Sequence, residues 1–445
     1  MLLRFAAENI LSFKEAVEFN TFPSSKSRSH EWHKVRCGHA IALRMSAIYG
    51  ANGAGKSNLL QCMALLKSIV STEKLGDLSL SDDLYFRLDD KGKNKPSELA
   101  IEFFYNDHIF YYHLTFTRQE IKAEELLVSQ KNKDISIFSR KNNDVSISAD
   151  YLHPEGKEDF IMAFLDAMNR IIRPDMPAIS FFGHYYPKEL PIVREAFDWI
   201  THMQVVLPEM RIGFLPHILD VDMEFASLVN ALMPELKTGI SRMTVHKDEV
   251  TEEDTKGNPA ISAALSAAKE QPGKPQMLIG TSNGEISNIV VEDDVAYLKT
   301  LMAIHTDPHG RDLEMDLNME SDGTRRLIEY MPLLYAVMRR SDVYIVDEIE
   351  RSIHPIMIKT IMRKISESHE ARGQIIFTTH ESCLLDQSIF RPDEIWFAQK
   401  DVDQSTQLYP LSDYNIHKTA NIENGYLNGR YGGIPFLSNL TDLKW

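Results

Sequence analysis

Residues 50–57 combine the residue types and the spacing that hold a chain of phosphates. They read Gly-Ala-Asn-Gly-Ala-Gly-Lys-Ser, which fits the pattern GxxxxGK[ST]. Glycines let backbone N–H groups curl around phosphate oxygens, the lysine supplies a point charge, and the serine offers a hydroxyl to Mg²⁺. The predicted nucleotide-binding residues are Gly50, Ala51, Asn52, Gly53, Ala54, Gly55, Lys56, Ser57 and Asn58.

The flanking sequence separates a true phosphate loop from a glycine-rich turn with an incidental Lys-Ser pair. An apolar run at 41–49 predicts a buried strand before the loop. An amphipathic helix is predicted after it, because five apolar residues fall on one helical face: Leu59, Leu60, Met63, Leu66 and Val70. This strand–loop–helix context favours the phosphate loop, and such a helix directs the positive end of its dipole at the anion.

Two adjacent carboxylates, Asp347 and Glu348, follow a second apolar run at 343–346. A buried parallel strand that ends in acids places them at the carboxyl edge of its sheet, where ligands bind. We expect Asp347 to hold Mg²⁺ together with Ser57, and Glu348 to polarise an attacking water. The alternative is a pair of acids that only caps the loop after a core strand.

Two further elements carry weaker signals. Ser321 and Gly323 stand at the start of a predicted helix, where backbone N–H groups could meet an anion, although an ordinary helix N-cap explains them equally well. His380 follows a predicted strand at 374–378, and a lone histidine in such a place is more often structural.

The elements that must position these residues can be traced along the chain. Strands are predicted at both ends of 2–22, in a hairpin at 99–118 that turns at Asn106-Asp107, and near 124–140. Helices are predicted across much of 157–237 and at 294–304 and 323–339. Residues 246–276 are acidic, then rich in small residues, and indicate a surface insertion or mobile loop.

Composition bounds the class of protein. The chain has 445 residues, 43% hydrophobic and 25% charged, which is ordinary for a globular protein with a sizeable core. A net charge of −16 disfavours a broad nucleic-acid-coating surface but leaves a local basic groove open. Three scattered cysteines and the lack of a long apolar run predict a cytoplasmic protein without a disulfide framework or membrane span.

The four motifs, taken in order, resemble the ATPase heads of the ABC class, especially the SMC-like and DNA-repair ATPases. A closer resemblance covers nearly the whole chain and is to bacterial AAA/ABC-hybrid ATP-binding proteins of abortive-infection and anti-phage loci. These include the ATPase subunits of PARIS, Septu and restriction-linked ORF systems, and overcoming-lysogenization-defect nucleases are relatives. The blocks that carry it are LRFAAENILSFKEAVEF, ESDGTRRL, DEIERSIHP, IIFTTHESCLL, RPDEIWFAQKD and GYLNGRYGGIPFL.

The resemblance implies an α/β fold, an ABC-type P-loop ATPase head with a β-rich first lobe and a largely helical insertion. The expected organisation is lobe I at 1–140, a helical insertion or partner-binding region at 141–310, lobe II at 311–400 and a C-terminal extension at 401–445. The mobile segment would lie within the insertion, at about 246–276.

The resemblance also implies roles for individual residues. Ser321 and Gly323 would contact the γ-phosphate of ATP bound to a second subunit, Glu348 would be the hydrolytic base, and His380 would sense the γ-phosphate. ATP with Mg²⁺ would then join two copies of the chain. By analogy, adenine is expected to stack within residues 9–13.

The leading functional hypothesis is therefore an ATPase subunit of an anti-phage defence system. It would form homo-oligomers, respond to a phage-encoded trigger, and hold or activate a separately encoded TOPRIM or HNH nuclease, because relatives with a nuclease domain carry it after the ATPase and only 65 residues follow His380 here. Two alternatives remain open, a DNA-repair or recombination-mediator ATPase that acts on DNA, and a nucleotide-gated scaffold with little turnover. Salt-dependent binding to DNA would favour the first alternative.

Overall fold

The structure, a computed structural model, describes residues 1–81, 83–151, 167–168, 170–208, 214–278, 287–414, 416–417 and 420–433. The end of the expected C-terminal extension, residues 434–445, lies outside these ranges. The chain forms two compact units. The first comprises Met1–Pro208, Arg339–Ile349 and Lys359–Trp445, and the second comprises Glu209–Met338 and Glu350–Ile358.

The strands, in chain order, are β1 Leu2–Glu8, β2 Val17–Asn20, β3 Lys34–Cys37, β4 Ala40–Leu43, β5 Met45–Tyr49, β6 Ser97–Tyr105, β7 His108–Phe116, β8 Ile121–Gln130, β9 Lys133–Lys141, β10 Asp144–Ile147, β11 Gln204–Val206, β12 Ile240–Glu249, β13 Gln276–Met277, β14 Ser287–Glu292, β15 Val295–Thr306, β16 Asp312–Asp316, β17 Val343–Val346, β18 Gln374–Thr378, β19 Ile395–Lys400 and β20 Thr406–Pro410.

The α-helices described are α1 Lys56–Ser71, α2 Ala178–Tyr185, α3 Pro191–His202, α4 Leu215–Val221, α5 Met223–Glu235, α6 Glu252–Gly257, α7 Pro259–Glu270, α8 Asp322–Glu329, α9 Met331–Arg339, α10 Pro355–Glu367 and α11 Ile422–Leu427.

The first unit contains two large sheets with different strand directions. One is antiparallel, in the order β10-β9-β8-β7-β6-β1-β2, and includes the predicted hairpin with its turn at Asn106-Asp107. The other follows the order β11-β17-β18-β5-β19-β20, in which only β20 is antiparallel to its neighbour. The buried faces of both sheets and of α1 contribute to one apolar core, in which Trp199 stacks on Phe103 with ring centroids 4.0 Å apart.

Gln374, the first residue of β18, joins the start of β1 to the end of β4 in the first unit. Its side-chain oxygen accepts from the N–H of Leu2 at 2.7 Å, and its amide nitrogen donates to the carbonyls of Leu2 at 3.0 Å and Leu43 at 2.9 Å. The side chain is fully buried. One side-chain amide at the start of β18 therefore provides buried hydrogen bonds to the backbone of two other strands.

The second unit is built around a sheet in the order β12-β15-β14-β13, with β16 also paired to β15. The prediction of a helix at 294–304 is wrong, because residues 295–304 lie in the central strand β15, which pairs with β12 and β14. Residues 246–276 are also not an irregular loop: they hold the end of β12 and the helices α6 and α7. The inserted region thus carries a sheet as well as helices.

Candidate functional site

The site in the first unit is formed where three parallel strands end side by side. β5 leads into the phosphate loop, β17 into Asp347-Glu348, and β18 into Thr379-His380. β18 pairs with β5 on one side and with β17 on the other. All three loops consequently emerge at the carboxyl edge of the sheet, where doubly wound α/β folds bind ligands.

The phosphate loop needs glycine for two different reasons. Gly53 and Gly55 have φ of 76° and 100°, a region that side-chain-bearing residues rarely adopt. A Cβ at Gly55 would also lie 2.1 Å from Oγ1 of Thr406 and 2.7 Å from Oγ of Ser12, whereas a Cβ at Gly53 would meet nothing within 4 Å. Gly55 is therefore required by close packing as well as by conformation.

Thr406, at the start of β20, supports the phosphate loop by contacting its backbone. Its hydroxyl lies 2.9 Å from the carbonyl oxygen of Ala54 and 2.8 Å from the hydroxyl of Ser12, and it accepts from Nζ of Lys400 at 3.1 Å. Burial lowers the pKa of the Lys400 ammonium. The backbone of the loop is therefore supported by polar side chains that lie far from it in the sequence.

Lys56 is turned back onto its own loop. Its ammonium donates to the carbonyl oxygens of Gly50 at 2.8 Å and Ala51 at 3.3 Å, and the side chain is only 5% exposed. The lysine is the first residue of α1, so its charge stands at the positive end of the helix dipole. Both contributions favour an anion in the loop.

Ser57, Asp347 and Glu348 are joined through Thr378. The Ser57 hydroxyl donates to Oδ1 of Asp347 at 3.1 Å, and the Thr378 hydroxyl donates to the same oxygen. The backbone N–H of Glu348 donates to the Thr378 hydroxyl at 2.8 Å. The structure thus brings together the two residues predicted to bind the metal, and the Thr378 hydroxyl links them to the backbone of the predicted base.

Glu348 and His380 lie on the solvent side of this network. Glu348 is half-buried and has a positive φ of 49°, while Asp347 beside it is 2% exposed. His380 is exposed and follows Thr379, whose N–H donates to the carbonyl of Ile48 at 3.1 Å. The predicted base and the predicted sensor are therefore both at the edge where β5 delivers the phosphate loop.

Ser321 and Gly323 belong to the second unit. The Ser321 hydroxyl accepts from the N–H of Thr324 at 3.1 Å and caps α8, as the N-cap alternative expected. A Cβ at Gly323 would lie 2.5 Å from the carbonyl oxygen of Ser352, so this glycine is needed for close packing. Ser321 remains exposed, so the cap is compatible both with an ordinary helix N-terminus and with a helix N-terminus that contacts an anion.

The expectation that adenine stacks within residues 9–13 is not supported. The Asn9 amide donates to the carbonyl oxygens of Gly92 at 2.9 Å and Lys95 at 3.0 Å, and the one aromatic residue of the segment, Phe13, is fully buried. Ser12 instead packs beneath the phosphate loop. No side chain in this segment presents a ring face.

Sequence reasoning missed Thr378, Thr406 and Ser12. Thr378 stands in the Phe377-Thr-Thr-His380 segment, two residues before the predicted sensor. Its position at the end of the predicted strand was the signal that could have assigned it to the site. Ser12 and Thr406 are 394 residues apart, and no spacing rule connects them.

The donor set fits Mg²⁺ bound with a nucleotide. Mg²⁺ prefers hard oxygen ligands, and in phosphate-loop proteins it takes a hydroxyl, an acidic side chain and phosphate oxygens. The Ser57 hydroxyl and the Asp347 carboxylate are adjacent at the end of the loop. Among the residues that the structure describes, no group of three or more His, Cys, Asp or Glu side chains forms an all-protein metal cage.

The parallel sheet, the phosphate loop after β5 and the acidic pair after β17 define a P-loop α/β fold. The chain belongs to the family described as "AAA domain, putative AbiEii toxin, Type IV TA system", whose sequence profile matches residues 45–176 and 192–386. The comparison with curated proteins returns no match.

Three solved structures of SMC heads are distantly similar to this chain. The SMC head bound to the C-winged helix domain of ScpA is 14% identical, with 92% of this chain and 97% of that chain covered and a TM-score of 0.44. The SMC head domain from Thermotoga maritima is 11% identical, with 92% and 98% covered and a TM-score of 0.39. An SMC head with an extended coiled coil, bound to the C-terminal domain of ScpA derived from Pyrococcus furiosus, is 14% identical, with 92% and 96% covered and a TM-score of 0.39.

A search of the described residues for membrane-crossing helices finds none of sufficient length and apolar character.

Proposed function

We propose that this chain binds ATP with Mg²⁺, hydrolyses it between two copies of itself, and thereby controls a separate toxic effector in a bacterial anti-phage system. The observation that carries the ATPase assignment is the linkage of Ser57, Asp347 and Glu348 at the end of a phosphate loop. Phosphoryl transfer requires positioning and charge stabilisation, and these residue types in this order supply both.

Each residue of the site has a task in this proposal. The N–H groups of residues 50–58 and the ammonium of Lys56 bind the β- and γ-phosphates. Ser57 and Asp347 would hold Mg²⁺, which when bound neutralises charge on those phosphates. Glu348 orients a water molecule for attack on the γ-phosphate and accepts its proton. His380 contacts the γ-phosphate from the neighbouring loop.

The second copy would supply Ser321 and Gly323. Ser321 is exposed at the N-terminal end of α8, where N–H groups and the helix dipole favour an anion. A γ-phosphate held by one copy and contacted by the helix of another makes ATP a ligand of the dimer. Assembly would then depend on ATP and be released by hydrolysis.

The role in defence rests on the family description, which names a putative toxin and a type IV toxin–antitoxin system. The ATPase would be the controlling partner, and a separately encoded TOPRIM or HNH nuclease would be the effector. A phage-encoded trigger would change the ATP-dependent assembly and release or activate the effector. No direct contact with nucleic acid is required by this arrangement.

The experiment that tests the proposal has two arms. Purified protein is assayed for Mg²⁺-dependent release of phosphate from ATP, which the proposal requires. The products of the neighbouring genes are co-expressed and purified through a tag on this chain, and cells with and without the locus are challenged with phage. Absence of hydrolysis contradicts the enzymatic part. Unchanged phage sensitivity together with no co-purifying partner contradicts the defence part.

A further inference from the structure

Thr378 is the side chain that joins the two acidic residues of the site. It is the last residue of β18 and is fully buried. Its hydroxyl contacts the carboxylate of Asp347 and the backbone N–H of Glu348, while its carbonyl oxygen accepts from the N–H of Ile349 at 3.2 Å. One residue of β18 therefore contacts three successive residues of the turn that follows β17.

The direction of these hydrogen bonds is fixed by the number of protons. A threonine hydroxyl has one proton to donate and two lone pairs that accept. Because the Glu348 N–H occupies a lone pair, the hydroxyl proton is committed to Oδ1 of Asp347. The same oxygen accepts the Ser57 hydroxyl at 3.1 Å. The orientation of the Asp347 carboxylate is thus set from both sides.

The turn itself needs such support. Glu348 has a φ of 49°, in the left-handed region that residues with a side chain seldom adopt. Conformations of this kind persist where the surroundings hold them in place, and they concentrate at functional sites. The hydroxyl and the carbonyl of Thr378 hold the backbone on the two sides of Glu348.

We propose that Thr378 is a positioning residue that sets the geometry of the metal-binding Asp347 and of the hydrolytic Glu348 together. This inference rests on the proposed ATPase function. Thr378 couples Mg²⁺ binding to hydrolysis, because its hydroxyl bonds to both the Asp347 carboxylate and the Glu348 backbone. A movement of the carboxylate therefore also moves the backbone of Glu348. Thr378 has no role in holding the phosphates themselves, which are held by the loop after β5.

The alternative is that the hydroxyl only satisfies buried polar groups and so contributes to stability alone. Thr21 provides a matched control for that alternative. It is also a fully buried threonine in the first unit, and its hydroxyl donates to the carbonyl of Leu2 at 2.8 Å. Thr21→Val removes a comparable hydrogen bond from a place that is not part of the site.

The test compares Thr378→Val, Thr378→Ser and Thr21→Val in the full chain. Three quantities are measured: kcat at saturating Mg²⁺, the Mg²⁺ concentration for half-maximal hydrolysis, and the metal-free affinity for a non-hydrolysable ATP analogue. In Thr378→Val we expect kcat to fall and the half-saturating Mg²⁺ concentration to rise, each by about 10- to 100-fold, the range for residues that orient metal ligands. Nucleotide affinity without metal should stay within about twofold.

The conservative variant Thr378→Ser separates a positioning role from a purely structural one, because a purely structural role would not change kcat or the Mg²⁺ requirement. Thr378→Ser keeps the hydroxyl and should restore both kcat and the Mg²⁺ requirement, and Thr21→Val should leave both unchanged. Wild-type kcat and Mg²⁺ dependence in a folded Thr378→Val protein would overturn the inference. If that variant does not fold, Thr378→Cys replaces it, since the thiol keeps the size but is a weak donor. Wild-type rates in folded Thr378→Cys would overturn the inference in the same way.

Glu348→Gln, assayed in parallel, separates this inference from the function on which it rests. If Glu348→Gln hydrolyses ATP at the wild-type rate, the proposed base is wrong whatever Thr378 does. If Glu348→Gln is impaired while Thr378→Val is not, only the role of Thr378 is lost.

Discussion

The hydroxyl of Ser57 donates to a carboxylate oxygen of Asp347 across 3.1 Å, although the two residues are 290 positions apart in the chain. Asp347→Asn keeps an acceptor for Ser57 but removes the charge. We expect the Mg²⁺ concentration for half-maximal hydrolysis to rise at least about tenfold in this variant, because loss of a charge-assisted contact costs about 1.5–3 kcal/mol. A Mg²⁺ titration measures this. Asp342→Asn, at the exposed residue just before β17, is the control, and equal behaviour of the two variants would contradict the metal assignment.

Glu348→Gln should retain ATP binding and lower hydrolysis by about two to three orders of magnitude, the effect of losing a general base. Binding is measured by titration with ATP and turnover by phosphate release. Glu367→Gln, an exposed carboxylate near the end of α10, should keep the wild-type rate. Little change in turnover for Glu348→Gln would exclude Glu348 as the base.

Lys56→Ala should weaken nucleotide binding itself. In the proposed function the ammonium forms charge-assisted hydrogen bonds with the phosphates of ATP. Loss of these bonds corresponds to a decrease of about 10- to 100-fold in the affinity for ATP. Lys67→Ala is matched to it, because Lys67 lies on the same helix and also donates to a backbone carbonyl, that of Met203 at 2.7 Å. An unaltered dissociation constant for ATP in Lys56→Ala would refute the phosphate-loop assignment.

Gly55→Ala should destabilise the protein more than Gly53→Ala, although both residues have positive φ. Only the new Cβ at Gly55 overlaps other atoms, and overpacking of this kind costs about 1–3 kcal/mol more. Chemical denaturation compares the free energies of unfolding. Thr406→Ala in the Gly55→Ala background should recover part of the loss, because it removes the two Thr406 side-chain atoms that the Cβ would meet and leaves the contact with Ser12. Equal unfolding free energies for the two single variants would disprove the close packing.

Ser321→Arg should prevent ATP-dependent self-association while leaving ATP binding by the isolated chain intact. The added side chain would occupy the place where the second copy's γ-phosphate is proposed to lie. Light scattering of proteins that also carry Glu348→Gln, with and without ATP, gives the oligomeric state. Ser262→Arg, at an exposed position of α7, is the control. ATP-dependent dimers that persist in Ser321→Arg would argue against the shared site.

The elements around the phosphate loop were predictable because their signals are local. The strands β17 and β18 were predicted with their observed bounds, and the five predicted apolar positions of α1 are all buried. The apolar residues of α1 recur at helical spacing, and a short apolar run that ends in acids is typical of a buried strand that reaches a binding edge. Local patterns were therefore enough to place all four motifs on the correct kind of element.

The second unit shows why the rest could not be read in the same way. In β15, Leu298, Leu301 and Met302 recur at helical spacing, but pairing with strands on both sides decides the conformation. The opposite error fell on α7, where Asn258 caps the helix and Pro259 occupies its first position. Those two residues are local helix-start signals, and the acidic and small-residue composition of the segment concealed them.

The contact between Thr406 and the loop has a consequence for synthesis on the ribosome. The carbonyl of Ala54 is supported by a hydroxyl that lies 352 residues later in the chain. At translation rates of about 5–20 residues per second, the phosphate loop would wait roughly 20–70 s for this support. A nascent chain would therefore expose an incomplete nucleotide pocket for most of its elongation time, and ATP could first bind tightly only when nearly all of the first unit has left the exit tunnel.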